Sequence, residues 1–518
     1  MASDGDFQPT RRLHASSWLF GLTGAIKQLV LPLIALVFFG ARDNDPGPIG
    51  PWVAPLIIGA LLIRAIWQQW TYRYGFGPNG LVIREGLMFR NLRQIEYARI
   101  ENIDTERGVL HRMFGVAEVR VQTSTGGKPE ALISVLDLSA VQEMRGQVFS
   151  DPRQSSALPR EQTSEQPGEQ VSAAVAAPAE TALLHLPIAE LVRYGLIDNR
   201  GMILVAAGIG LAHEAGFFAI DKVAWEQMLQ SSPAASLATL GLVMQIALAI
   251  VALAGALIAV RLLSIVLAIV TFHDFKLTRL AGDLRARYGL LTRIALTLRT
   301  RRIQAVHQTE SLLHRWFHRV SLNADLAGDG GGGDEQRDDS RMKTRWLAPV
   351  CATEVAPALI AAALPDIDLS VEPNWQPLAQ GARGRIFRSR LLLALLILTG
   401  PAAWYLHEAA IIVVLSCVPL AWLHAHLYTR HTRWALARDA VLFRSGWLTR
   451  RLTIVPRDRV QTLSIDASPF DRRSRMANIY VDTAGASSAA GIRIRYLGTD
   501  VAEQLAAALY RTAGAKAN

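Results

Sequence analysis

The chain has 518 residues, 51% of them hydrophobic and only 19% charged, a balance unusual for a soluble protein and suited to a membrane protein with extramembrane parts. Its formal net charge of +10 comes from arginines scattered around apolar stretches, the pattern of cytoplasmic loops, which argues against a basic nucleic-acid-binding module. The two cysteines, Cys351 and Cys417, exclude a disulfide framework and read as small buried hydrophobes.

Six apolar stretches come close to or exceed the roughly 20 residues a helix needs to cross a bilayer. They run over about Trp18–Phe39, Ile49–Trp67, Gly201–Ile220, Leu237–Phe272, Ile386–Tyr405 and Ala409–Tyr428. Short turns join them in pairs, which predicts three hairpins. Lys27 interrupts the first stretch and Arg64 and Arg261 lie near the ends of the second and fourth; all three read as snorkelling anchors. The hairpin turns hold only Arg42 and Lys222 as basic residues, whereas the opposite ends hold Arg11, Arg12, Arg73, Arg193, Arg200, Lys276, Arg383, Arg385 and Arg430 among others. That asymmetry predicts cytoplasmic termini. No cleavable signal peptide is evident.

A soluble segment of about 80 residues follows each hairpin. The expected plan is hairpin 14–70 and module 71–150, then a Pro/Gln/Ser-rich flexible linker over 151–182. Hairpin 183–272 and module 273–365 follow, with a Gly/Asp-rich loop over 328–341. A linker over 366–385, hairpin 386–428 and module 429–513 complete the chain. In the first module Gly80–Leu87, Arg93–Tyr97, Ile100–Thr105, Glu118–Thr123 and Ala131–Val135 alternate like strands, and Leu138–Val148 reads as a closing helix. The third module repeats the order in Val441–Gly446, Leu452–Val455, Asn478–Asp482 and Gly491–Tyr496, with a helix from Asp500 to Thr512.

The modules share a fixed register. Gly86, Gly289 and Gly446 each precede an arginine by 13 residues, namely Arg99, Arg302 and Arg459. A second arginine stands 13 residues further on, as Arg112, Arg315 and Arg472, and seven beyond it an aliphatic residue falls in a strand, as Val119, Leu322 and Ile479. A repeated unit explains this. The motifs Leu110-His111-Arg112-Met113-Phe114-Gly115, Leu313-His314-Arg315-Trp316-Phe317 and Phe470-Asp471-Arg472 resemble bacterial pleckstrin-homology-like membrane proteins of the YdbS/YdbT type, the longer members of which have three copies. The resemblance implies a pleckstrin-homology-like β-barrel with a C-terminal helix behind each hairpin, and it implies no reaction.

Guanidinium groups match phosphate geometry, and basic residues near an anionic leaflet contribute about 1 kcal/mol each. Arg112, Arg315 and Arg472, with Arg473 and Arg475, are the candidate headgroup or partner contacts, because they stand beside Met113, Phe114, Trp316, Phe317 and Phe470 in what reads as an interstrand loop. The alternative is that Leu110, Leu313 and Phe470 plug the barrel core. The repeated Gly86, Arg99, Gly289, Arg302, Gly446 and Arg459 read as structural. His314 with His318, the trio His424, His426 and His431, and the acidic loop Asp329–Asp339 lack the ligand order of zinc or calcium sites, so neither metal nor cofactor is expected. No phosphate loop, nucleophile elbow or dinucleotide fingerprint is present, and catalysis is not expected. These features predict a bacterial plasma-membrane scaffold that binds membrane lipids and either a protein partner or further copies of itself. The alternative is a six-helix transporter or channel component, for which Lys27, His407 and Glu408 are the residues to test.

Overall fold

The computed structural model describes residues 11–20, 59, 63, 67, 70–77, 80–85, 91–123, 131–149, 180–214, 242–280, 282–327, 345–368, 371–406, 410–483 and 492–514. The first repeat contributes β1 (Arg11–Arg12), β2 (Arg73–Phe76), β3 (Gly80–Glu85) and β4 (Asn91–Glu96), joined in that order. A 3-10 turn over Tyr97–Arg99 leads to β5 (Ile100–Arg107), the short helix α1 (Val109–Met113), β6 (Val116–Thr123), β7 (Ala131–Asp137) and helix α2 (Leu138–Phe149).

The second repeat opens with β8 (Thr181–His185), then helices α3 (Ile188–Ile197), α4 (Arg200–Glu214) and α5 (Leu242–Phe272). It continues through β9 (Lys276–Leu280), β10 (Asp283–Tyr288), β11 (Arg293–Leu298), β12 (Ile303–Glu310), α6 (Leu312–Trp316), β13 (Arg319–Leu326), β14 (Arg345–Ala352) and α7 (Ala356–Ala363). The third consists of β15 (Gln376–Pro377), α8 (Ala382–Leu406), α9 (Ala410–His431), β16 (Arg433–Leu436), β17 (Ala440–Ser445) and β18 (Arg450–Pro456). It closes with β19 (Val460–Asp466), α10 (Pro469–Arg473), β20 (Met476–Thr483), β21 (Ile492–Gly498) and α11 (Thr499–Gly514).

Each repeat therefore supplies four strands, then three strands, then a helix; the closing helix is the one the resemblance implies, and the sheets are consistent with pleckstrin-homology-like domains. The strands form because apolar residues alternate with polar ones, so that one face is buried. In β10, Leu284, Ala286 and Tyr288 point inward, and Val119, Leu322 and Ile479 are completely buried. Two details depart from the linear order of hairpin followed by barrel. The opening strands β1, β8 and β15 lie upstream of the helices, so each helical segment is inserted after the first strand of its own repeat. Pro377 in β15 is tolerated because this is an edge strand.

The sheets also cross repeat boundaries. One seven-stranded sheet runs β7-β6-β5-β11-β10-β9-β8, and a second runs β14-β13-β12-β18-β17-β16-β15. The last strands of one repeat thus pair antiparallel with the first strands of the next: Arg107 faces Arg293 in one ladder, and Glu310 faces Arg450 in the other. Both ladders have the same register, since Arg107 and Glu310 each lie eight residues past the motif arginine and Arg293 and Arg450 four past the turn glycine. Among the described residues, the outer sheets β1-β2-β3-β4 and β19-β20-β21 end without such a join.

Six membrane helices in three hairpins are not found among the described residues. Two helices are long and apolar enough to span a bilayer, Val243–Phe272 and Ile411–His431, and the pair Ile188–Ile197 with Arg200–His213 makes a third if its 52° bend lies within one span. α8 begins with Arg383, Arg385, Arg388 and Arg390, which dilute its apolar part, although it packs along α9 as a hairpin partner would. Most of the first hairpin, with Lys27 and Arg64, and the turn with His407 and Glu408 lie outside the described residues, as does the loop 328–341.

Arg261 has protein acceptors at the break between α3 and α4. It donates from Nη1 to the Leu196 and Asp198 carbonyls at 3.1 and 3.3 Å and to Asn199 Oδ1 at 3.0 Å. The break between α3 and α4 leaves helix-end carbonyls without intrahelical partners, and Arg261 satisfies two of them.

Candidate membrane-facing site

The short helices α1, α6 and α10 occupy equivalent places, each between the fifth and sixth strands of its repeat. Ser311 caps α6 by accepting from the His314 backbone, and His314 returns the contact; Ser468 and Asp471 do the same for α10. Gly115, His318 and Arg475, each three residues past the repeated arginine, all hold left-handed backbone with φ of 69°, 53° and 51°. Glycine meets that requirement in one copy only, so the shared conformation is not readable from residue type.

The short helices expose apolar side chains where a soluble barrel would bury them. Met113 is 74% exposed, Trp316 75% and Phe470 67%, with Phe114 and Leu312 also exposed. Phe470 and Leu110 therefore do not plug the core. Each short helix also lies beside the root of its own repeat's helical segment. The Phe20 ring lies 4.1 Å from that of His111. Arg319, just past α6, makes paired 2.9 Å hydrogen bonds to Glu190 on α3. Arg385 on α8 donates to Asp471 Oδ1 at 3.1 Å and sits 5.2 Å from the Phe470 ring centre. Burial raises the Asp471 carboxyl, but hydrogen bonds from Ser468 and Arg385 outweigh it and hold the group below the usual carboxylate range.

The glycine turns reach the same level. Gly289 has φ of 113° and Gly446 87°, and a Cβ on either would meet the carbonyl oxygen of Thr292 or Thr449 at 1.9 or 2.1 Å, so no other residue fits these turns. Leu290 donates its N–H to Val270 O at 3.0 Å in the last turn of α5, and Trp447 Nε1 donates to His424 on α9 at 3.1 Å. Leu290, Leu291 and Leu448 at the turn tips are exposed. Short helices and turns thus put a rim of exposed apolar side chains beside the ends of the helical segments. Isolated exposed hydrophobes are ordinary, but these recur at equivalent places in the three repeats with arginines beside them, which fits a membrane-contacting surface.

The five candidate contact arginines divide into two groups. Arg315 donates from Nη2 to the carbonyls of Trp447 and Leu448 at 3.0 and 3.1 Å, and Arg112 reaches the Leu291 carbonyl at 3.5 Å. Each therefore joins the short helix of one repeat to the glycine turn of the next. Arg472, Arg473 and Arg475 belong to the final repeat and are exposed. The other repeated arginines lie at 3-10 turns. Arg99 pairs with Glu96 at 3.1 Å, Arg459 lies 3.6 Å from Asp458, and the Arg302 carbonyl accepts from Ala327 N at 2.9 Å. Gly86 lies outside the described residues.

Two polar clusters between repeats give no local sequence signal. Asp104 on β5 accepts from Arg345 Nη1 at 2.8 Å and from Asn102 Nδ2 at 3.0 Å, and Asn102 also donates to the Thr297 carbonyl at 2.9 Å. At the next boundary His307 stands between Thr453 Oγ1 at 3.0 Å and Asp325 at 2.7 Å. Asp104 and His307 occupy equivalent repeat positions, each five residues past the motif arginine.

The profile of the bacterial PH domain matches three times, over residues 24–151, 234–347 and 388–513. The chain is 21% identical over 505 residues to the transmembrane protein YdbT of Bacillus subtilis (strain 168), an alignment covering 95% of this chain and 96% of that protein. No solved structure matches.

Proposed function

Because this chain belongs to the bacterial PH domain family, and is a membrane-associated member of it, we propose that it is a non-catalytic scaffold of the bacterial plasma membrane. On this reading six helices in three hairpins anchor it with both termini cytoplasmic, and the three modules bind lipid headgroups at the membrane surface. The asymmetry of basic residues supports that orientation. A role in envelope protection is consistent with such a scaffold. The observation that carries the reading is the exposed apolar rim of Met113, Trp316, Leu448 and Phe470 at the helix roots, with Arg472, Arg473 and Arg475 beside it.

The test uses the full chain in vesicles, with an environment-sensitive fluorophore attached at Phe470→Cys; the native Cys351 and Cys417 are buried. The label is expected to report an apolar environment, more strongly in anionic than in neutral vesicles. Arg472→Ala, Arg473→Ala and Arg475→Gly together should remove the dependence on anionic lipid, the glycine suiting the left-handed backbone of Arg475. A label that reports water in both vesicle types would sink the proposal.

A further inference from the structure

Repeat one joins repeat two, and repeat two joins repeat three, by the same antiparallel ladder in the same register. Two strands of the series have no partner on that side among the described residues. β4 is equivalent to β11 and β18 and ends its sheet; β19 is equivalent to β5 and β12 and ends its own. Their burial reflects this. In β12 the first five residues are buried, whereas in β19 none is; in β4 only Ile95 is buried, whereas β11 and β18 bury three and four. An unpaired edge is a template for another strand.

We propose that β19 of one chain pairs antiparallel with β4 of a second copy, extending head-to-tail the joint already used twice inside the chain. This goes beyond the lipid-binding reading and does not depend on it. A second copy is the occupant because its β4 is a further strand of the β11 and β18 kind, with no strand beyond it among the described residues.

The internal register fixes which residues meet. It sets Asp466 opposite Asn91, Ile465 opposite Leu92, Ser464 opposite Arg93 and Leu463 opposite Gln94. No like charges face each other, although directly opposed like charges destabilise strand pairs. The register also places two exposed large hydrophobes opposite one another, Ile465 at 44% and Leu92 at 57% exposure. The corresponding internal pairs, Thr105 with Ala295 and Gln308 with Leu452, each put at least one smaller or polar side chain there. Arg472, equivalent to Arg112 and Arg315, is the exposed third copy of the side chain that reaches the next repeat's turn. Such a contact is heterologous, and its repetition gives rings or filaments according to whether the rotation closes.

Directly opposed residues in an antiparallel ladder have Cα atoms about 4.5–5.5 Å apart, within disulfide reach. The experiment co-expresses two differently tagged full-length chains, one with Leu92→Cys and one with Ile465→Cys, and oxidises their membranes. An intermolecular disulfide carrying both tags is expected, and neither variant alone should give a dimer. Asn91→Cys with Asp466→Cys, the next opposed pair, should also cross-link, and adding Ile465→Lys to those chains should suppress it. The internal pair Gln308→Cys with Leu452→Cys, directly opposed in the structure, calibrates the oxidation. If that pair closes and the mixed pair does not, the proposal is overturned. Dimers from a single variant, or either cysteine trapped on a different protein, overturn it as well.

Discussion

Arg345 and Asp104 meet at 2.8 Å with side chains only 2% and 1% exposed, although 241 residues separate them in the chain. Asp104 belongs to the first repeat and Arg345 to the second, so a buried ion pair fastens the two where β5 joins β11. A pair of this kind costs more to break than its net contribution to stability, because removing one partner strands a charge in the interior.

Arg345→Met should therefore destabilise the chain by about 3–5 kcal/mol, read as an earlier denaturant midpoint in detergent solution. Adding Asp104→Leu to the same chain should recover most of that loss, since a well-packed apolar pair of similar volume is often neutral. If the double variant were as unstable as the single one, Asp104 would not be the charge left stranded.

Arg315→Ala removes two hydrogen bonds from a guanidinium to the Trp447 and Leu448 carbonyls. A loss of about 1.5–3 kcal/mol is expected from the charged donor, concentrated at the boundary between repeats two and three. Hydrogen exchange should quicken at the Leu448–Arg450 turn and in β18. Arg112→Ala should have a smaller effect at the Leu291 turn, where the one bond is 3.5 Å long.

His314 is held neutral by burial, which lowers its pKa to about 4, and its Nε2 lies 2.8 Å from Ser321 Oγ. Its folded pKa is below the unfolded value near 6.5, so the unfolded chain binds the extra proton more readily. The stability this gives is complete above about pH 6.5 and is lost as pH falls toward 4, with a total on the order of 3 kcal/mol. Unfolding temperatures measured across that window should fall more steeply for the wild-type chain than for His314→Asn, which has no proton to gain there. Equal slopes would show that His314 does not carry the acid sensitivity.

The strands and closing helices are legible in the sequence because alternation and the Gly-to-Arg register are local signals. The observed β6, β18 and α11 fall within two or three residues of the positions those signals indicate. Gly289 and Gly446 are legible for the same reason: a turn that would drive a Cβ into its own carbonyl leaves a single choice of residue. The joins between repeats are not legible. Asp104, in an alternating strand, reads as a solvent-facing charge until Arg345 is placed beside it by tertiary structure. The repeated Arg112 and Arg315 stand out in the sequence, but their acceptors are backbone carbonyls, which leave no mark in it. The upstream strands β1, β8 and β15 are two to five residues long, too short for periodicity to reveal.

The shared ladders also set a timetable for synthesis. β5 leaves the ribosome well before β11, with the linker and the whole second helical segment still to be made. At 5–20 residues per second this leaves β5 waiting on the order of 10–40 s for its partner. During that interval Asp104 has neither Arg345 nor the β11 backbone to hold it. The nascent first repeat must remain soluble with one side open, and it completes its fold only as the second arrives. Assembly is thus vectorial, each repeat finishing the one made before it.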